Sequence, residues 1–178
     1  ASLSCRNSAV EGHAMALLPK MLASLTLIQD LAVPEEALAQ LPIYLTSLEL
    51  GPGFTLTSNS ILHLPVTLQT LTFRGCTWED EDIKHLPRQL STLQLRFGPR
   101  LTDACVPHLP RSLTVLYFKF NRSFTPAMIP HLPPSITYVY LKKNLLIRKQ
   151  HLPLIPVGVF VSTYKLDAYN TRDDAGIC

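Results

Sequence analysis

The chain has no run of about 18 uninterrupted apolar residues, and its apolar segment Leu152 to Val161 is interrupted by prolines. A helix spanning a bilayer is therefore not expected, nor is a cleavable signal pattern at its start. Cysteines number four, Cys5, Cys76, Cys105 and Cys178, and they do not cluster. That spacing argues against a disulfide scaffold and against a zinc site, and it favours an intracellular, reducing compartment. A glycine-rich phosphate loop is also lacking, since Gly51-Pro52-Gly53 has neither the lysine nor the hydroxyl that such a loop uses. No serine, cysteine and histidine set can be assembled from spacing into a nucleophilic site. The acidic tetrad Glu79 to Asp82 reads as a solvated helix start, not an acid/base pair. No catalytic residue, cofactor or metal is expected, and the chain is read as a non-enzyme.

What the chain does have is repetition. Its 178 residues, 47% of them hydrophobic, are enough for one domain with a continuous core. Proline falls at Pro19, Pro42, Pro65, Pro87, Pro110, Pro133 and Pro153, in steps of 23, 23, 22, 23, 23 and 20 residues. Apolar residues usually follow three, six and eight positions later, as in Leu22/Leu25/Leu27 and Leu90/Leu93/Leu95, down to a degenerate Pro156/Val159/Val161. A fixed period in the low twenties marks one unit stacked on itself. Alternation at the last two apolar positions predicts a short strand with both turned inward. One copy cannot bury that face alone, whereas stacked copies bury it between themselves.

The LxxLxL core with Asn or Cys three residues on resembles the leucine-rich repeat family over about residues 19 to 161. Cys76, Asn121 and Asn144 occupy the Asn/Cys slot, while Asp30, Gly53, Gly98 and Tyr164 replace it elsewhere. The resemblance implies an α/β solenoid, a right-handed horseshoe with a parallel concave sheet and short helical or 3₁₀ returns on its convex side. It also implies a protein-protein interaction module, or alternatively the substrate-recruiting domain of a larger enzyme such as a ubiquitin ligase. Residues 1–18 are read as an N-terminal flank or cap, 19–161 as the repeats and 162–178 as a polar C-terminal flank. An uncovered last strand would allow self-association through the C-terminal repeat.

Returns between strands are predicted at Pro34 to Gln40, as a short helix, and near Glu79 to Asp82, Thr102 to Ala104 and Thr125 to Ala127, as one- or two-turn helices begun by capping side chains. The 20-residue step before Pro153 predicts a tight extended return. Residues 1–18 would cover the first repeat if Ala9 to Leu18 were helical. Asn121-Arg122-Ser123 is formally a glycosylation acceptor, but its asparagine is the one expected to turn inward.

Strand alternation leaves three columns facing solvent, at five, seven and nine residues after each proline. The first runs from Ser24 to Tyr138 and Gly158. The second includes Glu49, Tyr117, Tyr140 and Phe160. The third places Arg74, Arg96, Lys119 and Lys142 in successive repeats. With strands about 4.8 Å apart, four such cations repel one another and attract an acidic surface. Tyr117, Tyr138, Tyr140 and Phe160 add residue types enriched in binding hot spots. The predicted partner is an acidic, partly apolar protein segment held by Glu49, Arg74, Arg96, Tyr117, Lys119, Tyr138, Tyr140, Lys142 and Phe160. Charge follows the same polarity: residues 1–72 hold two Lys/Arg and five Asp/Glu, a net of −3, and residues 73–178 hold fourteen and eight, a net of +6. No nucleic-acid motif accompanies the basic half, and neither nucleic acid nor membrane is an expected partner.

Five histidines, His63, His85, His108, His131 and His151, each stand two residues before a proline. No second ligand type recurs beside them, so they are read as residues that satisfy backbone groups in the turns, not as a metal ladder. Adding EDTA to the purified protein should therefore leave its Tm unchanged; a drop would reinstate a metal.

Overall fold

In the computed structural model the described residues are 1–6, 12–28, 35–51, 56–74, 77–96, 100–119, 122–142, 144, 146–163 and 169–170. Eight strands stack in chain order as one open parallel sheet: β1 Ser2–Arg6, β2 Ser24–Ile28, β3 Ser47–Leu50, β4 Thr70–Phe73, β5 Thr92–Arg96, β6 Val115–Lys119, β7 Tyr138–Lys142 and β8 Phe160–Thr163. A two-residue β9, Tyr169–Asn170, adds antiparallel to β8. Every strand from β2 to β7 begins five residues after its turn proline. Both inward residues of these strands are buried, with the leucine or isoleucine before each beneath the turn.

The returns are 3₁₀ helices throughout: Gly12–Leu17, Glu35–Gln40, Ser60–His63, Asp80–His85, Asp103–His108, Pro126–His131 and Lys149–Leu154. Six residues or fewer leave room for two tight turns, and i→i+3 bonds such as Leu109 N–H to Val106 C=O close them. Pro107 and Pro130 sit inside two of these helices and lack the donor that a longer helix would need. In four of the Leu-Pro pairs the leucine, Leu41, Leu64, Leu86 or Leu109, is buried in the core, and Leu18 and Leu132 pack partly buried against it. A further layer, Leu56, Trp78, Leu101, Phe124 and Ile147, is buried where the chain leaves the sheet for the return. Trp78 keeps its Nε1–H satisfied there by donating to the Thr57 carbonyl at 3.1 Å.

Capping side chains join neighbouring returns. Asp80 accepts from the N–H and the hydroxyl of Thr102 one repeat later, and Asp103 does the same for Thr125. Asp82 accepts from Glu79 N–H at 2.8 Å and from the Ser58 hydroxyl at 2.9 Å, so the acidic tetrad contributes a helix start as expected. Asn144 is fully buried; its Nδ2 donates to the Phe124 carbonyl while its Oδ1 accepts from the N–H groups of Leu146 and Ile147. The other ladder positions, Asp30, Gly53, Cys76, Gly98, Asn121 and Tyr164, lie outside the described residues. Cys105 is a buried free thiol, and burial first, then Asp80 and Asp103, pushes its ionisation far upward.

Four features depart from the sequence-based expectations. Residues 2–6 form a strand of the sheet, with Leu3 opposite Leu25 and Cys5 opposite Leu27. The helix expected over Ala9 to Leu18 is a 3₁₀ helix from Gly12, residues 7–11 being outside the described residues. The last return is not extended. Pro153 lies inside its 3₁₀ helix, and the turn proline is Pro156, 23 residues after Pro133: Val159 N–H bonds to the Pro156 carbonyl as Ile136 N–H bonds to that of Pro133. Val159 thus takes the place of Ile136, and Val161 pairs with Val139. Finally, the free edge of β8 is partly taken, because Asn170 and Tyr169 pair with Phe160 and Val161.

The same re-phasing removes His151 from the histidine column. His63, His85, His108 and His131 are the last residues of their return helices and are exposed, whereas His151 lies three residues before the end of its helix. His151 satisfies a backbone group as expected, its Nδ1 accepting from Arg148 N–H at 3.0 Å. Leu93, fully buried in β5 between β4 and β6, should lose about 2–5 kcal/mol on change to alanine. Val159→Ala, in the last turn with fewer methyl groups to remove, should lose less; equal losses in urea unfolding would contradict this gradient.

Candidate protein-binding face

Alternation in each strand turns one residue in two away from the core, and the parallel register aligns these residues across repeats. The first column reads Ser24, Ser47, Thr70, Thr92, Val115, Tyr138 and Phe160. The second reads Thr26, Glu49, Thr72, Gln94, Tyr117, Tyr140 and Ser162. Phe160 therefore stands beside Tyr138, not beside Tyr140 as the Pro153 phasing predicts. Gly158 leaves the column altogether and occupies the turn with a φ of 86°, in the left-handed region that glycine tolerates. Phe160 follows Tyr138 by 22 residues, one fewer than the 23 from Pro133 to Pro156, so the proline interval alone did not give this register.

The face divides along its length. Over β2 to β5 it carries mainly hydroxyls, and over β6 to β8 it carries aromatic rings. Tyr117 and Tyr140 stack with centroids 4.4 Å apart and planes 13° from parallel. Tyr138 and Phe160 stack at 5.0 Å and 11°. Both separations match the strand spacing of about 4.8 Å, so the ladder itself sets the ring contact.

The cation column is in register at Arg96, Lys119 and Lys142, with Arg74 directly after β4. Its members are not equivalent. Arg74 lies 3.5 Å from Glu49 across the β3–β4 pair, a partly exposed contact of little strength. The Arg96 guanidinium sits 5.7 Å from the Tyr117 ring centroid, within cation–π range. In both arginines the Nε is buried without a hydrogen-bond partner, which places the stems flat along the sheet. The side chains of Lys119 and Lys142 lie outside the described residues. The expected row of four cations therefore starts with two separate contacts, Arg74 with Glu49 and Arg96 with the Tyr117 ring. Among the described residues no group of three His, Cys, Asp or Glu side chains could hold a metal ion.

No protein-family model matches the chain, and no curated protein does. Among solved structures it is similar to the leucine-rich repeat-containing protein LegL7 from Legionella pneumophila, with a TM-score of 0.59 and 20% identity. The fold is a leucine-rich-repeat solenoid. The likeness covers 91% of this chain, which spans 64% of the length of that structure. At this identity the comparison speaks for the architecture alone.

Burial and then the neighbouring phenol of Tyr140 raise the ionisation of Tyr117 above the ordinary tyrosine range, and burial does the same for Tyr138. A raised folded value means that the neutral phenol is the form favoured by the fold. The associated stability is complete below the unfolded value of about 10 and is lost as pH rises through the folded one. Ultraviolet titration of the native protein should show late-ionising phenols, and Tyr117→Phe or Tyr138→Phe should each remove one. Titration of all phenols at the free-tyrosine midpoint would contradict the stacked geometry.

Proposed function

We propose that the free sheet face over β5 to β8 binds an acidic, partly apolar segment of another protein. The observation that carries this reading is the pair of aromatic stacks in register beside the Arg96, Lys119 and Lys142 column. Tyrosine, phenylalanine and arginine are enriched at interface hot spots because they bury large area at low entropic cost. Here the stacks pre-order the rings, so little side-chain freedom remains to be lost on binding. Arg96, held against Tyr117, presents fixed charge at the margin of the apolar area, and Lys119 and Lys142 follow it in backbone register on the next two strands. Glu49 tempers only Arg74, at the hydroxyl-rich end. The excess of +6 over residues 73–178 favours encounter with an acidic partner.

Side chains of a segment lying across the strands would meet the rings in one row and the cations in the next. Capture from a lysate of the source cells with the intact chain should retrieve a specific partner, identified by mass spectrometry. That partner should be lost with Arg96→Glu/Lys119→Glu and with Tyr117→Ala/Tyr140→Ala, both checked for an unchanged melting transition. A captured set that neither double variant alters would discard this face as the binding site.

A further inference from the structure

The Leu-Pro turns form an edge of the solenoid separate from the sheet face. Equivalent turns stack directly on one another: the Thr67 hydroxyl donates to the Ile43 carbonyl at 2.8 Å, that of Ser112 to Arg88 at 2.7 Å and that of Ser135 to Arg111 at 2.6 Å. Side chains at the turn tips consequently stand in a row with the pitch of the strands. Several of them are aliphatic and project into water: Val157 is 91% exposed, Leu17 79%, Val66 75%, Met21 72% and Ile43 68%. One such residue is ordinary on a protein surface, but five along a single edge are not. They project between neighbouring turns, where Lys20 and Ile43 border one surface depression and Val157 another.

The charged residues of the turns themselves are all basic. Lys20, Arg88 and Arg111 are exposed at turn tips, and Lys84 is there too but held by Glu81 at 2.8 Å. Consider the six residues from three before to two after each turn proline, Pro156 serving for the last repeat. Not one is Asp or Glu in any of the seven turns, although the chain has 13 acidic residues elsewhere. Turn chemistry does not dictate that absence, because aspartate is among the residues turns favour.

We propose that this edge is a peripheral membrane-contact surface for an anionic phospholipid bilayer. The aliphatic tips enter the boundary between headgroups and acyl chains, and Lys20, Arg88 and Arg111 meet the lipid anions. A bilayer accepts projecting tips without a matching pocket for each, which a folded protein partner would have to supply. Exclusion of carboxylates from the edge removes the repulsion that an anionic surface would otherwise impose. That no helix among the described residues is long and apolar enough to cross a membrane bears on spanning, not on surface contact. The edge thus revises the expectation that membranes are not engaged, and it shares no residue with the aromatic face.

Vesicle flotation of the full chain tests this. With about one part phosphatidylserine to three of phosphatidylcholine the wild-type protein should float, and with phosphatidylcholine alone it should stay in solution. Arg88→Glu/Arg111→Glu should weaken flotation at least about tenfold, since each basic residue near an anionic surface contributes about fivefold in affinity. Ile43→Ser/Val66→Ser should abolish it, while Tyr140→Ala, on the sheet face, should float like wild type. All of these residues are at least partly exposed, and unchanged melting transitions would show that the variants fold. The proposal is overturned if wild type ignores phosphatidylserine vesicles, or floats equally without phosphatidylserine. It is also overturned if Ile43→Ser/Val66→Ser, which leaves the charge unchanged, floats as well as wild type, as simple charge adsorption would.

Discussion

The structure depends on the shared backbone ladder that locks each repeat onto the one before. At the entrance to the strands, the carbonyls of Ala23, Thr46, Gln69, Ser91 and Thr114 each accept two N–H groups from the next repeat, at 2.8–3.1 Å. Hydroxyls of Thr46, Ser91, Thr114 and Thr137 add a further bond to the carbonyl of the preceding repeat. This fixes one pitch for the whole molecule. Inward leucines can then fill the space between neighbouring units without gaps, and stability becomes approximately a sum of unit and interface terms.

A single pitch has consequences beyond the core. Like residues one repeat apart meet at strand spacing, so tyrosines in one column stack and cations in one column share a field. The same pitch carries the turns, which is why aliphatic tips far apart in sequence form one row. The two outer surfaces differ because the sheet face holds pre-stacked rings beside fixed charge, while the turn edge holds projecting aliphatics without any acid.

Much of this was legible in the leucines. The inward triads from Leu22/Leu25/Leu27 to Ile136/Val139/Leu141 are buried where the period puts them, and the parallel order follows the chain. Columns such as Arg96, Lys119 and Lys142 follow as well, since alternation and a constant period are enough to define them. The last repeat was misphased because two prolines, Pro153 and Pro156, compete there and only hydrogen bonding selects between them. Phe160 and His151 moved with that choice. The strand at Ser2–Arg6 lies before Pro19, the first proline that anchored the period, and so was passed over.

The sequence alone determined the repeating unit, its length and which residues turn inward, because those are matters of local period and of the need to bury apolar surface. Only the tertiary structure decided how the outward residues act on one another. Whether Arg74 meets Glu49, Arg96 covers Tyr117, or Tyr138 stacks on Phe160 depends on register between strands about 22 or 23 residues apart, and register is settled by backbone hydrogen bonds across repeats.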